Sequence, residues 1–223
     1  MRLFKPHELP GTLICVEGID GSGKSTQLAI LRDWLKSKNL DVIFTEWNSS
    51  DLISQTTKKA KKKNLLSPRT FSLLHAVDFA DRLEQIIIPA MKAGFIVLAD
   101  RYVYTAFARD VARGVDRDWV RNMYGFAVKP DLALYYSIPA EVSLERICAN
   151  RAPSFYEAGM DLKLSNNPYK SYVIFQSRVN EEYADMVNEF GLVRIDANNT
   201  IHSKQVLLRQ YVTELLSKKG IQI

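Results

Sequence analysis

A glycine-rich segment near the start of the chain has the spacing of a loop that binds phosphate groups. Residues 18–25 read GIDGSGKS, which matches G-x-x-x-x-G-K-[ST] without a gap. Glycines let such a loop curl until its N–H groups point at a phosphate chain, and the following helix adds the positive end of its dipole. We expect Lys24 to reach the β- and γ-phosphates of ATP and Ser25 to bind Mg²⁺. The predicted nucleotide-binding residues are Gly18, Ile19, Asp20, Gly21, Ser22, Gly23, Lys24, Ser25 and Thr26.

A second candidate group follows an apolar strand at residues 95–100, FIVLAD. Asp100 ends this strand, where a carboxylate behind Mg²⁺ is expected. Arg101 comes next, and its planar guanidinium can hold an acceptor phosphate with two parallel hydrogen bonds. The alternative is that Asp100 and Arg101 form a purely structural ion pair.

The elements that must position these residues alternate between strand-like and helix-like segments, which indicates a mostly parallel sheet with helices on both faces. A helix is predicted from Ser25, and a longer one from Ser67–Pro68, which Pro89 should kink and Gly94 should end. Residues 151–168 have little hydrophobic periodicity and are predicted to be a mobile lid. The predicted strands are residues 12–17, 41–47, 95–100, 132–138 and 191–195.

Length and composition predict one domain over residues 1–223, with 47% hydrophobic and 25% charged residues. No apolar run approaches the roughly 18 residues that span a bilayer, and the N-terminal sequence MRLFKPHELPG does not resemble a secretory signal. Cys15 and Cys148 are predicted to be buried, reduced thiols. These features favour a cytoplasmic protein.

The net charge of +5 suits a polyanionic ligand. The densest basic run, Lys58–Lys63, is either a solvated helix end or a basic rim that attracts anionic substrates. Aromatic residues do not interleave with these lysines, so we expect no nucleic-acid partner. The chain also lacks the N-K-x-D motif that reads guanine, which leaves a small-molecule kinase as the favoured class.

Several motifs together resemble the thymidylate kinase family of P-loop nucleoside monophosphate kinases. They are VEGIDGSGKST at residues 16–26, DRY at 100–102 with Thr105 after it, KPDL at 129–132, and FQSRVNEEY at 175–183. The resemblance implies a three-layer P-loop NTPase fold with a five-stranded parallel sheet and a short lid. It implies transfer of phosphate from Mg·ATP to a nucleoside monophosphate, with dTMP as the expected acceptor, and commonly a homodimer.

The resemblance also implies catalytic roles for Lys24, Asp20 and Arg101, and metal binding by Ser25 and Asp100. Some members carry a catalytic arginine at the position of Ser22, whereas others draw arginines from the lid. Arg146 and Arg151 are the matching candidates here, and Arg151 at the start of the lid is preferred, because an arginine there can stabilise charge on the transferred phosphoryl group.

On the acceptor side the chain departs from the family pattern. After the second strand the family reads TREPGG, but residues 45–50 read TEWNSS, so the phosphate-binding arginine is missing and only Glu46 matches. Arg109 or Arg113 is a possible replacement, and Asp110 is a candidate for hydrogen bonding to the base or sugar. The residues that we expect to bind the acceptor are Glu46, His75, Phe79, Arg82, Arg101, Tyr102, Thr105 and Arg109.

Three of these residues lie in the long helical segment. Counting back from Asp100 places His75 and Phe79 at or near the family's base-stacking phenylalanine and base-binding arginine. Arg82 lies nearly one turn further on, so Phe79 and Arg82 can rebuild that pair; alternatively, Phe79 is core and Arg82 is surface. His75 is predicted to be a packed or rim histidine rather than a catalytic base.

Two rival functions remain open at this stage. A nucleoside kinase on the same fold would need a carboxylate base for a hydroxyl acceptor, and Glu46 at a strand end is the candidate. A nucleotide-binding regulatory protein without turnover would be expected to have lost Lys24, Asp100 or Arg101, and all three are present.

Overall fold

The sheet has five parallel strands in the order β2-β3-β1-β4-β5. The computed structural model describes residues 4, 6–64 and 66–223, so part of the N-terminal segment used in the signal-peptide prediction lies outside the described residues. The predicted five-stranded parallel sheet flanked by helices is confirmed. The strands are β1 Thr12–Glu17, β2 Val42–Glu46, β3 Ile96–Asp100, β4 Leu132–Ser137 and β5 Val193–Asp196.

The central strands β1 and β3 are buried along their whole length. Their apolar residues do not alternate with polar ones, because helices cover both faces of the sheet. In the register of the sheet, Asp100 lies opposite Val16 on one side and opposite Glu46 on the other. The carboxyl ends of β1, β2 and β3 therefore meet at one edge, which is where ligands bind in open parallel sheets.

Nine α-helices occur in the described part of the chain. Their bounds are α1 Lys24–Ser37, α2 Ser54–Lys62, α3 Pro68–Arg82, α4 Ile88–Lys92, α5 Val103–Ala112, α6 Arg117–Met123, α7 Ala140–Cys148, α8 Pro168–Phe190 and α9 Ile201–Lys218. Residues 149–167 connect α7 to α8 and contain only a short 3₁₀ helix, Met160–Leu162.

Helix α3 begins as its sequence predicts. The Ser67 side chain accepts a hydrogen bond from the Thr70 N–H, and Pro68 occupies the first turn. The helix passes into a π-helical turn, Leu83–Ile87, before α4. Pro89 lacks the N–H that would bond to the carbonyl four residues earlier, and the wider turn accommodates that loss.

Four of the five strands differ from the predicted limits by one or two residues at one or both ends. β2 ends at Glu46, and the Trp47 side chain after it lines a cavity. β5 begins at Val193 rather than at Gly191, since Gly191 caps α8 in the left-handed conformation with φ 73°. Cys15 is buried as predicted, but the prediction for Cys148 is wrong: it is the exposed last residue of α7.

No helix in the described ranges has both the length and the apolar character needed to cross a membrane.

Candidate active site

The phosphate-binding loop, residues 18–26, joins β1 to α1 and requires glycine at two positions for steric reasons. Gly18 and Gly21 have φ values of 139° and 73°, which L-residues rarely adopt. A Cβ atom on Gly18 would lie 2.7 Å from the Tyr136 carbonyl oxygen, and one on Gly21 would lie 2.8 Å from that of Ser143. The loop is therefore packed against β4 and α7, so its N–H groups are held in place before any nucleotide binds.

Asp100 lies beside Lys24 and Ser25 at the end of this loop. The Ser25 hydroxyl donates a hydrogen bond to Asp100 Oδ2, and Asp100 Oδ1 is buried with no hydrogen-bond partner in the described residues. Burial, with the neighbouring Arg101 charge, lowers the pKa of Lys24 to about 8. Hydroxyl and carboxylate oxygens of this kind suit Mg²⁺. The described residues include no group of three or more His, Cys, Asp or Glu that could hold a metal, so such an ion would also rely on nucleotide phosphates.

Arg101 turns back over the phosphate-binding loop because its backbone is left-handed, with φ 75°. This conformation is costly for a residue with a side chain, and its persistence indicates that neighbouring contacts hold it. The guanidinium donates to the Gly18 carbonyl at 3.0 Å and to the Asp20 carboxylate at 2.5 Å.

Glu17 is the neighbour that holds the segment after Asp100, and the sequence analysis assigned it no role. Its carboxyl group is fully buried and accepts hydrogen bonds from the Tyr102 N–H at 2.6 Å, the Thr105 hydroxyl at 2.6 Å and the Tyr183 hydroxyl at 2.8 Å. Burial raises the pKa of Glu17 despite these bonds and the Arg101 charge, which favour the anion. One buried carboxyl group thus connects β1, α5 and α8 around Arg101.

Asp20 lies between two arginines. It accepts hydrogen bonds from Arg101 and from Arg109. Burial alone would raise the pKa of Asp20, but the charges of Arg109, Arg101 and Lys24 lower it well below its usual range. Asp20 is therefore an anion that holds both guanidinium groups at the edge of the loop.

A cavity of about 550 Å³ opens beside these arginines. Five of the predicted site residues line it: Asp20, His75, Arg101, Thr105 and Arg109. The remaining lining residues are Trp47, Asn48, Lys61, Lys62, Asn64, Phe71, Arg113, Ser154, Phe155, Tyr156 and Glu157. Arg113 and the Lys58–Lys63 run are already candidates from the sequence, and Phe71 has a further sequence signal because it lies four residues before His75 and thus on the same helix face.

One side of the cavity is an aromatic wall, formed by Trp47, Phe71, His75 and Tyr156. The ring of Phe71 lies 4.3 Å from that of His75 and 5.0 Å from that of Tyr156, measured between centroids. Trp47 meets His75 edge to face at 5.4 Å. Flat apolar surfaces of this kind can stack on a nucleobase.

The cavity also has a cationic lining. Arg101 contributes from the segment between β3 and α5, Arg109 contributes from α5, and Lys61 and Lys62 contribute from α2. Lys61 Nζ lies 4.9 Å from the centroid of the Phe71 ring, so this cation borders the aromatic wall. Burial lowers the pKa of Lys61 to about 8, with further lowering by the charges of Arg109 and Arg113. For Lys61 and Lys62 the structure supports the basic-rim interpretation of the Lys58–Lys63 run.

The predicted pair of Phe79 and Arg82 does not reach the cavity, which corrects the sequence interpretation. Both residues are fully buried, and Phe79 packs against Tyr102 and Tyr124 with centroids 5.0 and 5.4 Å away. Phe71 and His75, two turns and one turn earlier than Phe79, line the cavity instead. Tyr102 is also a core residue, and its hydroxyl donates to the Val128 carbonyl at 2.8 Å.

Arg82 and Asp78 form a buried ion pair that anchors the loop after β2. Arg82 donates to Asp78 at 3.0 Å and to the Thr45 hydroxyl at 3.0 Å. Asp78 also accepts from the backbone N–H groups of Asn48 at 3.0 Å and Ser50 at 2.9 Å. The segment in which the family motif is replaced is thus held from α3, and Trp47 is positioned as part of the aromatic wall.

Three other predicted residues lie away from the cavity. Glu46 is exposed and does not line the cavity. Arg151 is exposed and pairs with Glu157 through two hydrogen bonds of 2.7 Å. Arg146 lies closer to the phosphate-binding loop, where it donates to the Ala197 carbonyl at 3.2 Å and approaches the Gly21 carbonyl at 3.5 Å.

Comparisons with known proteins agree with this geometry. The thymidylate kinase family model matches residues 16–206. A probable thymidylate kinase 2 of Saccharolobus solfataricus is 46% identical over 208 residues, covering 92% of this chain and 97% of that protein. A probable thymidylate kinase of Thermococcus onnurineus is 32% identical, covering 82% and 87% of the two chains. A thymidylate kinase of Desulfotalea psychrophila is 37% identical, covering 64% and 71%. The chain belongs to the thymidylate kinase family.

Proposed function

We propose that this chain transfers the γ-phosphoryl group of ATP to dTMP, giving ADP and dTDP. The observation that carries the proposal is the cavity beside the phosphate-binding loop, whose lining combines the aromatic wall with Arg101 and Arg109. A nucleoside monophosphate needs both surfaces, one for its base and one for its phosphate. Family membership and the names of the relatives support the same acceptor.

On the donor side, the loop N–H groups and Lys24 bind the phosphates of ATP. Ser25 and Asp100 would hold Mg²⁺, which neutralises charge on the β- and γ-phosphates when it is bound. Arg101 lies between the two sites, so its guanidinium can contact the transferred group as negative charge shifts towards the leaving oxygen.

On the acceptor side, the aromatic wall stacks on the base, and Arg109 takes the place of the arginine missing after β2. Arg113 is less suited to this role, because its guanidinium already donates to Asp161 at 3.1 Å and to the Tyr156 carbonyl at 2.7 Å. Binding of the phosphate would draw Arg101 and Arg109 away from Asp20. The attacking atom is a phosphate oxygen that is already anionic, so no strong general base is needed.

We further propose one kinase domain over residues 1–223, in which residues 151–168 act as a lid that excludes water during transfer. Arg146 and Arg151 are the lid-side arginines, and Arg151 would have to leave Glu157 to reach the phosphates. A homodimer in the cytoplasm and the absence of a nucleic-acid partner complete the proposal.

The rival functions fit the geometry less well. A nucleoside kinase needs a carboxylate base within reach of a hydroxyl group. Glu46 is exposed outside the cavity, and Glu157, which lines the cavity, is paired with Arg151. A binding protein without turnover is disfavoured, because Lys24, Asp100 and Arg101 lie together around the phosphate-binding loop.

ADP release from Mg·ATP, measured with dTMP, dUMP, the other nucleoside monophosphates and free nucleosides, tests the proposal. We expect turnover that is selective for dTMP, and a loss in kcat of about 10²–10³ in Lys24→Met, as for other groups that stabilise transition-state charge. The exposed Lys36→Met is the matched control and should match the wild type. Turnover of nucleosides alone, or ATP binding without turnover of any acceptor, would contradict the proposal.

A further inference from the structure

The aromatic wall contains one ring that can form hydrogen bonds, the imidazole of His75. Its side chain is 3% exposed and lines the cavity between Phe71 and Trp47. A phenylalanine at this position would complete the stacking surface equally well. The two ring nitrogens of His75 therefore provide a function that stacking alone does not require.

Asp110 lies directly behind His75. It is fully buried on α5, accepts a hydrogen bond of 2.6 Å from the Ser72 hydroxyl, and places its Oδ1 atom 3.4 Å from His75 Nδ1. His75 Nδ1 and Asp110 Oδ1 are both buried, and neither has a hydrogen-bond partner in the part of the chain that the structure describes. The two unpaired atoms face each other at 3.4 Å, so each is a partner within reach of the other.

This arrangement decides which nitrogen of His75 carries the proton. A carboxylate facing Nδ1 favours the tautomer with hydrogen on Nδ1 and leaves a lone pair on Nε2. Burial lowers the pKa of His75, and the charges of Lys61 and Arg113 add to that effect, while Asp110 opposes it. The ring is therefore neutral at neutral pH, and Nε2, on the edge away from Asp110, is a hydrogen-bond acceptor.

Pyrimidine bases differ in what they offer to such an acceptor. Thymine and uracil carry a hydrogen on N3, whereas N3 of cytosine is itself an acceptor. We infer that His75, oriented by Asp110, accepts a hydrogen bond from N3–H of the acceptor base and thereby selects thymine or uracil over cytosine. This inference rests on the proposed function and names the group that reads the base.

The inference also revises the sequence-based hypothesis for Asp110. Direct contact with a base or sugar is excluded for a carboxylate that is fully buried behind His75. Asp110 is instead a positioning residue, which acts on the base through the tautomer of His75.

The first test compares dTMP with N3-methyl-dTMP as acceptors for the wild type and for His75→Phe. The variant keeps an aromatic ring in the wall but has no acceptor. In the wild type we expect kcat/KM for N3-methyl-dTMP to be lower than for dTMP by at least about tenfold, since a buried acceptor is left unpaired. In His75→Phe the kcat/KM values for dTMP and N3-methyl-dTMP should differ by less than about threefold. Equal use of both acceptors by the wild type, or unchanged discrimination in His75→Phe, overturns the inference.

The second test addresses Asp110 through Asp110→Asn. An amide N–H facing His75 Nδ1 favours the opposite tautomer, so that Nε2–H becomes a donor suited to N3 of cytosine. We expect the ratio of kcat/KM values for dTMP over dCMP to fall by about tenfold, the effect of one hydrogen bond. An equal fall in kcat/KM for dTMP and dCMP would show that Asp110 is merely structural and would contradict its role in orienting His75.

The exposed His202 on α9 provides the matched control, and His202→Phe should leave both ratios unchanged. The comparison of dTMP with N3-methyl-dTMP in the wild type needs no variant. The inference can therefore be overturned even if a variant fails to fold. Absence of dTMP turnover by the wild type would overturn the proposed function itself. Turnover of dTMP without discrimination at N3 overturns only the role of His75.

Discussion

The donor and acceptor sides of the site are built in different ways. The donor side is one continuous loop, residues 18–26, with Asp100 supplied by the neighbouring strand. Besides Asp20 of the loop, the acceptor side gathers its lining from five separate parts of the chain, which are residues 47–48, 61–64, 71–75, 101–113 and 154–157. The geometry of a continuous loop is set by its own backbone, whereas that of a gathered cavity depends on how the surrounding helices pack.

The difference shows how one family can keep its chemistry while its acceptor pocket diverges. Replacing the TREPGG segment by TEWNSS alters mainly the acceptor side, because Asp78 and Arg82 hold the new loop. Its backbone contact with a donor residue is the hydrogen bond from the Trp47 N–H to the Asp100 carbonyl at 3.2 Å. The two sides meet at Arg101 and Asp20. Variants that separate the two sides therefore test the comparison most directly.

Arg82→Met should have the largest effect. It leaves Asp78 buried without its charged partner, and breaking a buried pair in this way costs about 3–5 kcal/mol of unfolding free energy. Because Asp78 anchors the loop that carries Trp47, the KM for dTMP should rise while the KM for ATP stays unchanged. Urea unfolding and steady-state kinetics measure the two effects.

The control for Arg82→Met is Arg117→Met, which removes an arginine from a surface pair in which its side chain is 41% exposed. Surface pairs contribute less than about 1 kcal/mol, so this variant should resemble the wild type. An equal rise of both KM values in Arg82→Met would show that the two sides are not independent.

Arg109→Ala should have the next largest effect. Losing a charge-assisted hydrogen bond to the acceptor phosphate costs about 1.5–3 kcal/mol, which is a rise of about 10- to 150-fold in the KM for dTMP. The KM for ATP should change by less than about twofold, because Arg109 contacts the donor side only through Asp20. Arg32→Ala on the outer face of α1 is the control. An unchanged KM for dTMP would exclude Arg109 as the replacement for the missing family arginine.

The smallest effect is a dependence on pH. Lys61 on the acceptor side and Lys24 on the donor side both have a pKa of about 8, so each is mostly charged at pH 7 and mostly neutral at pH 9. Both KM values should rise by about two- to fivefold between these pH values, because each phosphate loses an attractive charge. Lys61→Met should flatten the pH dependence of the KM for dTMP and leave the pH dependence of the KM for ATP unchanged.

The exposed Lys58→Met, on the same helix, is the control for Lys61→Met and should keep both profiles. If the KM for dTMP rises with pH as steeply in Lys61→Met as in the wild type, the titrating group is not Lys61.

The same contrast explains which features could be predicted from the sequence. The sheet, the capped start of α3 and the phosphate-binding loop follow from local patterns, and the structure contains all three. The aromatic wall could not be predicted, since Trp47, Phe71 and Tyr156 come together only through tertiary packing. The role of Glu17 was missed for a similar reason. Its hydrogen-bond donors are Tyr102 just before α5, Thr105 on α5 and Tyr183 on α8, which meet only in the folded chain.

Assignments within α3 failed for a more specific reason. Counting back from Asp100 points to His75 and Phe79. Of these only His75 lines the cavity, whereas Phe79 packs in the core and Arg82 pairs with Asp78. Residues spaced by four share a helix face, but the elements packed around each turn decide which of them meets the cavity and which is buried.

The π-helical turn also bears on how the acceptor pocket can evolve. A π-helical turn closes with one residue more than an α-helical turn, so deleting one residue from Leu83–Ile87 would leave the helical segments on either side nearly in phase. The face that carries Phe71 and His75 would then keep its orientation towards the cavity. A change in length can thus be absorbed at this turn, and we expect a new base preference to come from substitutions in the cavity lining.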